Sequence, residues 1–209
     1  MADKRTVVLA SGRGSNFQAV LDGIRRGAVR NCEIVGLIVD RPNTGAAALV
    51  EDRGLSEQIA VHSFDYKSFP NRDTFDRLIL DTLKKLEPDL ILTLGYMRIL
   101  AESLVRQFAG RIINIHPSLL PAFPGIHSAR QALEYGVKVA GATVHFVDEG
   151  VDTGPIIDQA AVAVPENITV DGLAELILIQ EHRILVRAVD LFCQERLKLE
   201  NNRKVRILS

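Results

Sequence analysis

The sequence TVVLASGRGSN, residues 6–16, places a glycine-containing loop directly after a short apolar run. The run over residues 6–10 is continuous and rich in β-branched side chains, which predicts a strand buried on both faces. After the loop, apolar side chains recur at helical spacing from Phe17 to Ile24, and Ser15 is the expected N-cap. A strand, a glycine loop and a helix in this order are typical of the first unit of a doubly wound α/β fold.

The alternation of expected strands and helices continues to residue 115 and then changes. In the first half, strands are predicted over 6–10, 33–39, 58–61, 90–94 and 111–115, with helices beginning near residues 15, 46, 71 and 102. The second half is richer in β-structure, with a helix over 128–135, strands over 142–147 and 156–164, a long helix over 170–193 and a basic surface segment over 201–209. We therefore expect a single-domain, doubly wound α/β fold over residues 1–209, with a mostly parallel sheet and a long C-terminal helix.

The composition is that of an ordinary globular protein and argues against several classes of partner. The 209 residues are 47% hydrophobic and 24% charged, and 25 basic against 26 acidic residues give a formal net charge of −1. Because this chain has no strong overall field and only 5% aromatic residues, nucleic acid and anionic membranes are not expected partners. No apolar run approaches the roughly 18–20 residues of a membrane span. With Cys32 and Cys193 far apart and no secretory signal, we expect a cytoplasmic protein.

The loop Gly12-x-Gly14-Ser15-Asn16 has the chemistry of a phosphate site. Glycines let backbone N–H groups approach an anion at a helix N-terminus, where the helix dipole favours negative charge. Ser15 and Asn16 add side-chain donors that suit a phosphomonoester. A dinucleotide fingerprint would have a third glycine where this chain has Phe17, and the Gly-Lys-Ser/Thr of a P-loop is missing. From this motif alone, a tight turn without a ligand stays open.

A second motif, NIHPSLLP over residues 114–121, ends the fifth predicted strand. Residues i and i+2 of a strand point to the same face, so Asn114 and His116 present an amide and an imidazole side by side. Ligands of open α/β sheets bind at the carboxyl ends of the strands. An amide donor beside a cationic or proton-donating imidazole suits a developing oxyanion. A buried structural histidine is the alternative interpretation.

A third motif, HFVDEGVDTGP over residues 145–155, gathers three carboxylates near a histidine. Its residues could be imagined as metal ligands, but their spacing matches no metal motif, and we expect no metal. A carboxylate close to His116 would instead favour the protonated imidazole and take part in proton transfer. Asp152, held beside Gly154 and Pro155, is the best-ordered candidate for that role.

Together these segments resemble the phosphoribosylglycinamide formyltransferases, a branch of the formyltransferase family. The resemblance rests on SGRGSN at 11–16, GYMRIL at 95–100, NIHPSLLP at 114–121, PGIHS at 124–128 and HFVDEGVDTGPII at 145–157. NIHPSLLP alone marks the wider family, which includes methionyl-tRNA formyltransferase and formyltetrahydrofolate deformylase. The phosphate loop suits a phosphorylated ribose, and the length is expected to leave no room for the extra domains of those relatives.

The resemblance implies a Rossmann-like enzyme of de novo purine (IMP) biosynthesis. It would transfer the formyl group of 10-formyltetrahydrofolate, its cosubstrate, to the amine of 5′-phosphoribosylglycinamide (glycinamide ribonucleotide). The products would be 5′-phosphoribosyl-N-formylglycinamide and tetrahydrofolate, and no metal would be used. Residues 1–110 would form the phosphate-binding half and 111–209 the catalytic and folate-binding half.

The resemblance also assigns roles to particular residues. It implies catalytic roles for Asn114, His116 and Asp152, phosphate binding by Gly14, Ser15 and Asn16, contact of Glu181 with the ribonucleotide, and folate binding by Arg72, Met97, Arg98, Ile99, Leu100, Asn114, Asp148, Glu149, Gly150, Val151 and Asp152. In the expected mechanism the amine attacks directly, Asn114 and protonated His116 stabilise the oxyanion, and Asp152 assists proton transfer.

Two other functions stay open at this level. Gly12, Gly14 and Asp40 fit a nicotinamide-dependent reductase, because an acid after the second strand can bind a ribose. A sugar-phosphate-binding regulator would account for the glycine loop but not for Asn114, His116 and Asp152 together. The sequence is compatible with a monomer or a homodimer.

Overall fold

The computed structural model describes residues 2–201 and 203–208. The strands are β1 (Lys4–Ala10), β2 (Cys32–Val39), β3 (Ala60–Ser63), β4 (Leu90–Thr93), β5 (Ile112–His116), β6 (Val139–Phe146), β7 (Ile156–Ala163), β8 (Leu197–Glu200) and β9 (Lys204–Ile207). The helices are α1 (Ser15–Arg25), α2 (Gly45–Asp52), α3 (Arg72–Leu86), α4 (Glu102–Gln107), α5 (Ser128–Tyr135) and α6 (Val170–Cys193). A 3₁₀ turn spans Tyr66–Ser68.

A seven-stranded sheet in the order β3-β2-β1-β4-β5-β6-β7 forms the centre of the molecule. The first five strands are mutually parallel, whereas β6 pairs antiparallel with both β5 and β7. The predicted mostly parallel sheet is therefore confirmed. Strand order reverses between β1 and β4, and ligands of such sheets bind at the carboxyl ends of the strands around this point.

Helices cover both faces of the sheet. Along β1, Val8 and Ala10 point into one core with helices α1, α2, α5 and α6. The alternate residues Val7 and Leu9 point into a second core with α3 and α4. This alternation is what a strand buried on both faces requires, and the doubly wound prediction is confirmed.

The beginning of α1 differs from its prediction. The N-cap is Gly14, not Ser15, and no side chain caps this end of the helix. Gly14 has φ +83°, in the left-handed region, and a Cβ atom there would lie 2.8 Å from the Cα of Ala46. A glycine is therefore needed where the start of α1 packs on α2. The third strand is also shifted, to Ala60–Ser63 instead of 58–61, because its exposed side chains give little pattern.

The described residues of the basic C-terminal segment lie at the surface, as predicted, but they include a strand that the sequence analysis did not predict. Strands β8 and β9 form a separate antiparallel hairpin, in which Leu197 pairs with Ile207 and Glu200 with Lys204. The partly buried side chains of Leu197 and Val205 pack against the larger core. Residues 202 and 209 of the predicted segment lie outside the described residues.

Candidate active site

A cavity of about 700 Å³ opens where β4 and β5 end. Thr93, the last residue of β4, and His116, the last of β5, both line it. Of the site residues expected from sequence, those lining it are Asn16, Met97, Arg98, Ile99, Leu100, Asn114, His116, Asp148, Glu149, Gly150, Val151, Asp152 and Glu181. The structure thus brings together segments that are far apart in the chain, whereas Gly14, Ser15 and Arg72 lie outside the lining.

His116 and Asp152 are in direct contact in this cavity. The Nδ1 atom of His116 lies 3.3 Å from Oδ2 of Asp152. The other ring nitrogen, Nε2, lies 2.9 Å from the carbonyl oxygen of Phe123 and 3.3 Å from Oγ of Ser128. Because a carbonyl oxygen only accepts, Nε2 is the ring nitrogen that carries a proton in this arrangement, and Nδ1 is the nitrogen that faces the carboxylate. The imidazole and the carboxylate are therefore close enough for proton transfer between them.

The Asp152 carboxylate is placed by backbone as well as by His116. Asp152 has φ +56°, in the left-handed region, where Asp is better tolerated than most residues. The backbone N–H of Gly125 donates to its Oδ2 at 2.7 Å. This bond fixes the carboxylate in the orientation in which it contacts His116.

The Asn114 amide is oriented by a chain of hydrogen bonds. The Thr93 hydroxyl donates to Oδ1 of Asn114 at 2.8 Å, which leaves the amide nitrogen facing Nε2 of His145 at 3.1 Å. Burial lowers the pKa of His145, so its ring is neutral, with Nδ1–H donating to the Phe146 carbonyl and Nε2 accepting from Asn114. An amide nitrogen has two hydrogens, and one N–H of Asn114 remains for a ligand.

A second polar pair, Asn16 and Glu181, brings together the start of α1 and the middle of α6. The Asn16 amide nitrogen donates to Oε2 of Glu181 at 2.7 Å. Burial raises the pKa of the Glu181 carboxyl, and the hydrogen bond from Asn16 partly offsets that rise. Among the described residues, the buried Oδ1 of Asn16 has no hydrogen-bond partner. A buried polar atom left unpaired is costly, which is typical of a group that meets a ligand.

The predicted folate-binding residues divide into an apolar rim and side chains that order loops. Met97, Ile99 and Val151 are 64%, 60% and 48% exposed and form apolar surface at the cavity. Asp148 and Glu149 instead make contacts within the protein: Oδ1 of Asp148 accepts from the Gly150 N–H and the Thr153 hydroxyl, and Glu149 pairs with Arg106 at 2.7 Å.

The two arginines expected to bind folate hold the wall of the cavity. The Arg98 guanidinium lies 3.4 Å from the centre of the Tyr66 ring and pairs with buried Asp40 at 2.8 Å. Arg72 donates to the carbonyl of Ile99 at 2.9 Å. Asp40 pairs with Arg41 as well, at 3.2 Å. The charge of Asp40 is thus balanced by two arginines, which weakens the nicotinamide interpretation that depends on this acid.

The described residues contain neither a metal-binding cluster nor a membrane-spanning helix. Within residues 2–201 and 203–208, no group of three or more His, Cys, Asp and Glu side chains is arranged to hold a metal ion. In the same part of the chain, no helix combines the length and apolarity needed to cross a membrane.

A doubly wound sheet with an amide, an imidazole and a carboxylate at its carboxyl edge is the arrangement of an α/β acid–base enzyme. The model of the formyl transferase family matches residues 4–189, and the chain belongs to this family. The phosphoribosylglycinamide formyltransferase of Bacillus subtilis (strain 168) is 42% identical over 180 residues, which cover 86% of this chain and 90% of that protein.

Solved structures show the same relationship. Glycinamide ribonucleotide transformylase 1 from Symbiobacterium toebii superposes with a TM-score of 0.92 at 45% identity, covering 99% of this chain and 95% of that one. A formyltetrahydrofolate deformylase from Pseudomonas syringae pv. tomato str. DC3000 superposes with a TM-score of 0.88 at 27% identity, covering 99% of this chain and 66% of that one. The chain is therefore similar to a transferase and to a deformylase, with higher identity to the transferase.

Sequence reasoning missed the groups that orient the Asn114, His116 and Asp152 side chains. The motifs that identified those side chains do not include the groups that hold them, which are the Thr93 hydroxyl, the Phe123 carbonyl and the Gly125 N–H. The sequence indicates His145 only as a possible metal ligand. Of these groups, only the Gly125 N–H could have been suspected from the sequence, because a glycine beside a proline, as in PGIHS, marks a fixed turn.

Proposed function

We propose that this enzyme transfers the formyl group of 10-formyltetrahydrofolate to the amine of 5′-phosphoribosylglycinamide, as a step of purine biosynthesis in the cytoplasm. The observation that carries the proposal is that one cavity holds Asn114, His116 and Asp152 together with Asn16 and Glu181. The first three residues supply groups for acyl transfer, and the last two supply groups for a polar substrate. The identity to a protein named phosphoribosylglycinamide formyltransferase supports the same substrate.

The ribonucleotide would bind at the start of α1. This helix has no side-chain cap, so its first backbone N–H groups are suited to a phosphate oxygen, and the helix dipole favours the negative charge. Gly14 lets the backbone reach this position in its left-handed conformation. The carboxyl of Glu181 and the unpaired Oδ1 of Asn16 accept hydrogen bonds from the remainder of the substrate.

The folate would lie between the 97–100 segment and the 148–152 loop. The apolar side chains of Met97, Ile99 and Val151 suit the faces of a flat heterocycle. In this arrangement Arg72 and Arg98 do not contact the folate directly but stabilise the wall of its pocket. The guanidinium of Arg72 bonds Ile99, and that of Arg98 pairs with Asp40.

The reaction is a direct acyl transfer. The substrate amine attacks the formyl carbon, a C–N bond forms, and the carbonyl electron pair moves to oxygen. The free N–H of Asn114 donates to this oxyanion, and the positive charge of protonated His116, whose ring nitrogens face Phe123 and Asp152, stabilises it electrostatically. Asp152, in contact with His116, assists transfer of a proton from the attacking nitrogen to the folate nitrogen, whose bond to carbon then breaks.

Loss of the formyl group from a 10-formylfolate, followed by absorbance, tests this proposal. The assay is run with and without 5′-phosphoribosylglycinamide. We expect formyl loss only when the ribonucleotide is present. Equal loss without it would mean that water is the acceptor, as the similarity to a deformylase allows. No loss in either arm would leave a binding protein and contradict the proposal.

A further inference from the structure

The C-terminal hairpin reaches the loop that carries Asp152. Arg203 lies in the turn between β8 and β9, and its guanidinium donates to the carbonyl oxygen of Thr153 at 2.5 Å. Thr153 directly follows Asp152 in the chain. The match to the family model ends at residue 189, so the hairpin lies beyond the part of the chain that defines the family.

The hairpin is braced at its base, so that its turn is held in place. Arg196 and Leu208 join the two ends through a backbone bond of 2.8 Å and a side-chain bond of 2.9 Å. Leu197 and Val205 are packed against the core. Strand β9 also lies beside β7, the strand that begins just after the Asp152 loop. The packed hairpin therefore holds Arg203 in place beside the Asp152 loop.

The Asp152 loop needs support from outside its own residues. Asp152 has φ +56°, a conformation that residues with a side chain rarely adopt. On one side, the Gly125 N–H donates to its carboxylate. On the other side, Gly154 is packed so closely that a Cβ atom there would lie 1.8 Å from the carbonyl oxygen of Phe146. The peptide between Thr153 and Gly154 is thus confined, and Arg203 bonds its carbonyl oxygen.

We propose that Arg203 is a positioning residue, which holds the Thr153 peptide so that Asp152 stays in contact with His116. This inference rests on the proposed role of Asp152 in proton transfer. A guanidinium donor makes a stronger hydrogen bond than a neutral donor. Because Arg203 is exposed to solvent, its contribution is modest compared with that of the residues it supports.

The test compares three variants of the full chain with the wild type. Arg203→Ala removes the donor, and Arg203→Lys keeps a positive charge and N–H groups at the end of a long side chain. Arg206→Ala is the matched control, because Arg206 is an exposed arginine of β9 that pairs with Glu200 at 3.8 Å. For each variant, kcat and both KM values are measured, together with Tm and hydrogen exchange over residues 148–154.

We expect Arg203→Ala to lower kcat about fivefold, with both KM values within about twofold and an unchanged Tm, since Asp152 acts in the chemical step. Hydrogen exchange in the loop is expected to rise in this variant, and Arg203→Lys to recover most of kcat. An unchanged kcat for Arg203→Ala in an active enzyme, or an equal loss for Arg206→Ala, would overturn the inference.

Hydrogen exchange separates this inference from the proposed function. If the wild-type chain transfers no formyl group, the proposed function fails, and with it the catalytic purpose given to Arg203. The contact itself is still tested, because faster exchange over 148–154 in Arg203→Ala alone requires no activity. Unchanged exchange there would show that Arg203 does not hold the loop.

Discussion

The two ends of the cavity differ in how far their polar groups are paired within the protein. At the catalytic end, His116 bonds Phe123 and contacts Asp152, while Asn114 is held between Thr93 and His145. At the end where we propose that the ribonucleotide binds, the described part of the structure leaves Oδ1 of Asn16 without a partner, and α1 starts without a side-chain cap. The catalytic side chains are thus held by several bonds within the protein, with one N–H of Asn114 left over, whereas the other end has an unpaired buried oxygen and an uncapped helix start.

This difference follows from what each end does in the proposed reaction. A catalytic group must already point at the position where charge develops, and bonds to other protein groups hold it there before substrate arrives. A binding group can instead keep a lone pair or an N–H for the ligand, although leaving it unpaired in the free protein costs about 1–3 kcal/mol. Substitutions at the two ends are therefore expected to change different quantities.

The largest effect is expected at the catalytic end. His116→Ala and Asp152→Asn should each lower kcat by at least about 10²-fold, because each removes a group that moves or stabilises a proton in the chemical step. Steady-state kinetics measure the loss, and circular dichroism checks that the fold is kept.

Asp158→Asn is the control for these two variants, since Asp158 is a carboxylate of β7 that pairs with Arg187 at 2.6 Å. Its kcat should stay near that of the wild type. Turnover close to wild type in purified His116→Ala or Asp152→Asn would exclude the role given to that residue.

A smaller effect, on stability, is expected where the loop before α1 packs on α2. Gly14→Ala adds a Cβ atom that would lie 2.8 Å from the Cα of Ala46, and it does so at φ +83°. Gly27→Ala also places a side chain at positive φ, +72°, but has open space around it. We expect the free energy of unfolding to fall by about 2–3 kcal/mol for Gly14→Ala and about 1 kcal/mol for Gly27→Ala. Equal losses in urea unfolding would mean that the contact with Ala46 does not matter.

The smallest effect is a dependence of stability on pH at Glu181. Burial raises the pKa of this carboxyl above its ordinary value of 4.5, so the folded state favours the neutral form. Stability from this source is present at low pH and is lost as the pH rises through the folded-state pKa. The Tm of Glu181→Gln relative to wild type should therefore increase from about pH 4 to about pH 7.

Glu175→Gln, on an exposed part of the same helix, provides the comparison for this pH series. Its Tm difference from wild type should change much less between the two pH values. A relative Tm of Glu181→Gln that falls as the pH rises would contradict a raised pKa for Glu181.

Local patterns were sufficient to predict most of the sheet and the faces of its strands. The apolar runs at residues 6–10 and 90–94 correspond to central strands, because a strand buried on both faces leaves an uninterrupted signal. The spacing of Asn114 and His116 correctly predicted that both side chains face one cavity, because residues i and i+2 of a strand point to the same side. The short strands β8 and β9 were missed because four residues carry little periodicity.

The contacts that complete the candidate site could not be predicted in this way. Thr93 reaches Asn114 across neighbouring strands, and Arg203 reaches Thr153 from a hairpin fifty residues further along the chain. Such contacts depend on how distant segments pack, which a local pattern does not contain. The sequence predicts Ser15 as the cap of α1, but the N-cap is Gly14 in the left-handed conformation, and no side chain caps this end.

Separate measurement of kcat and of KM for the ribonucleotide, in Asp152→Asn and Asn16→Ala, tests the difference between the two ends most directly. Gln18→Ala, on the exposed side of α1, is the control for Asn16→Ala. We predict that Asp152→Asn loses at least about 10²-fold in kcat with little change in KM. For Asn16→Ala we predict a KM raised about tenfold and a kcat near that of the wild type. A loss of kcat in Asn16→Ala as large as that in Asp152→Asn, or a loss confined to KM in Asp152→Asn, would contradict the account.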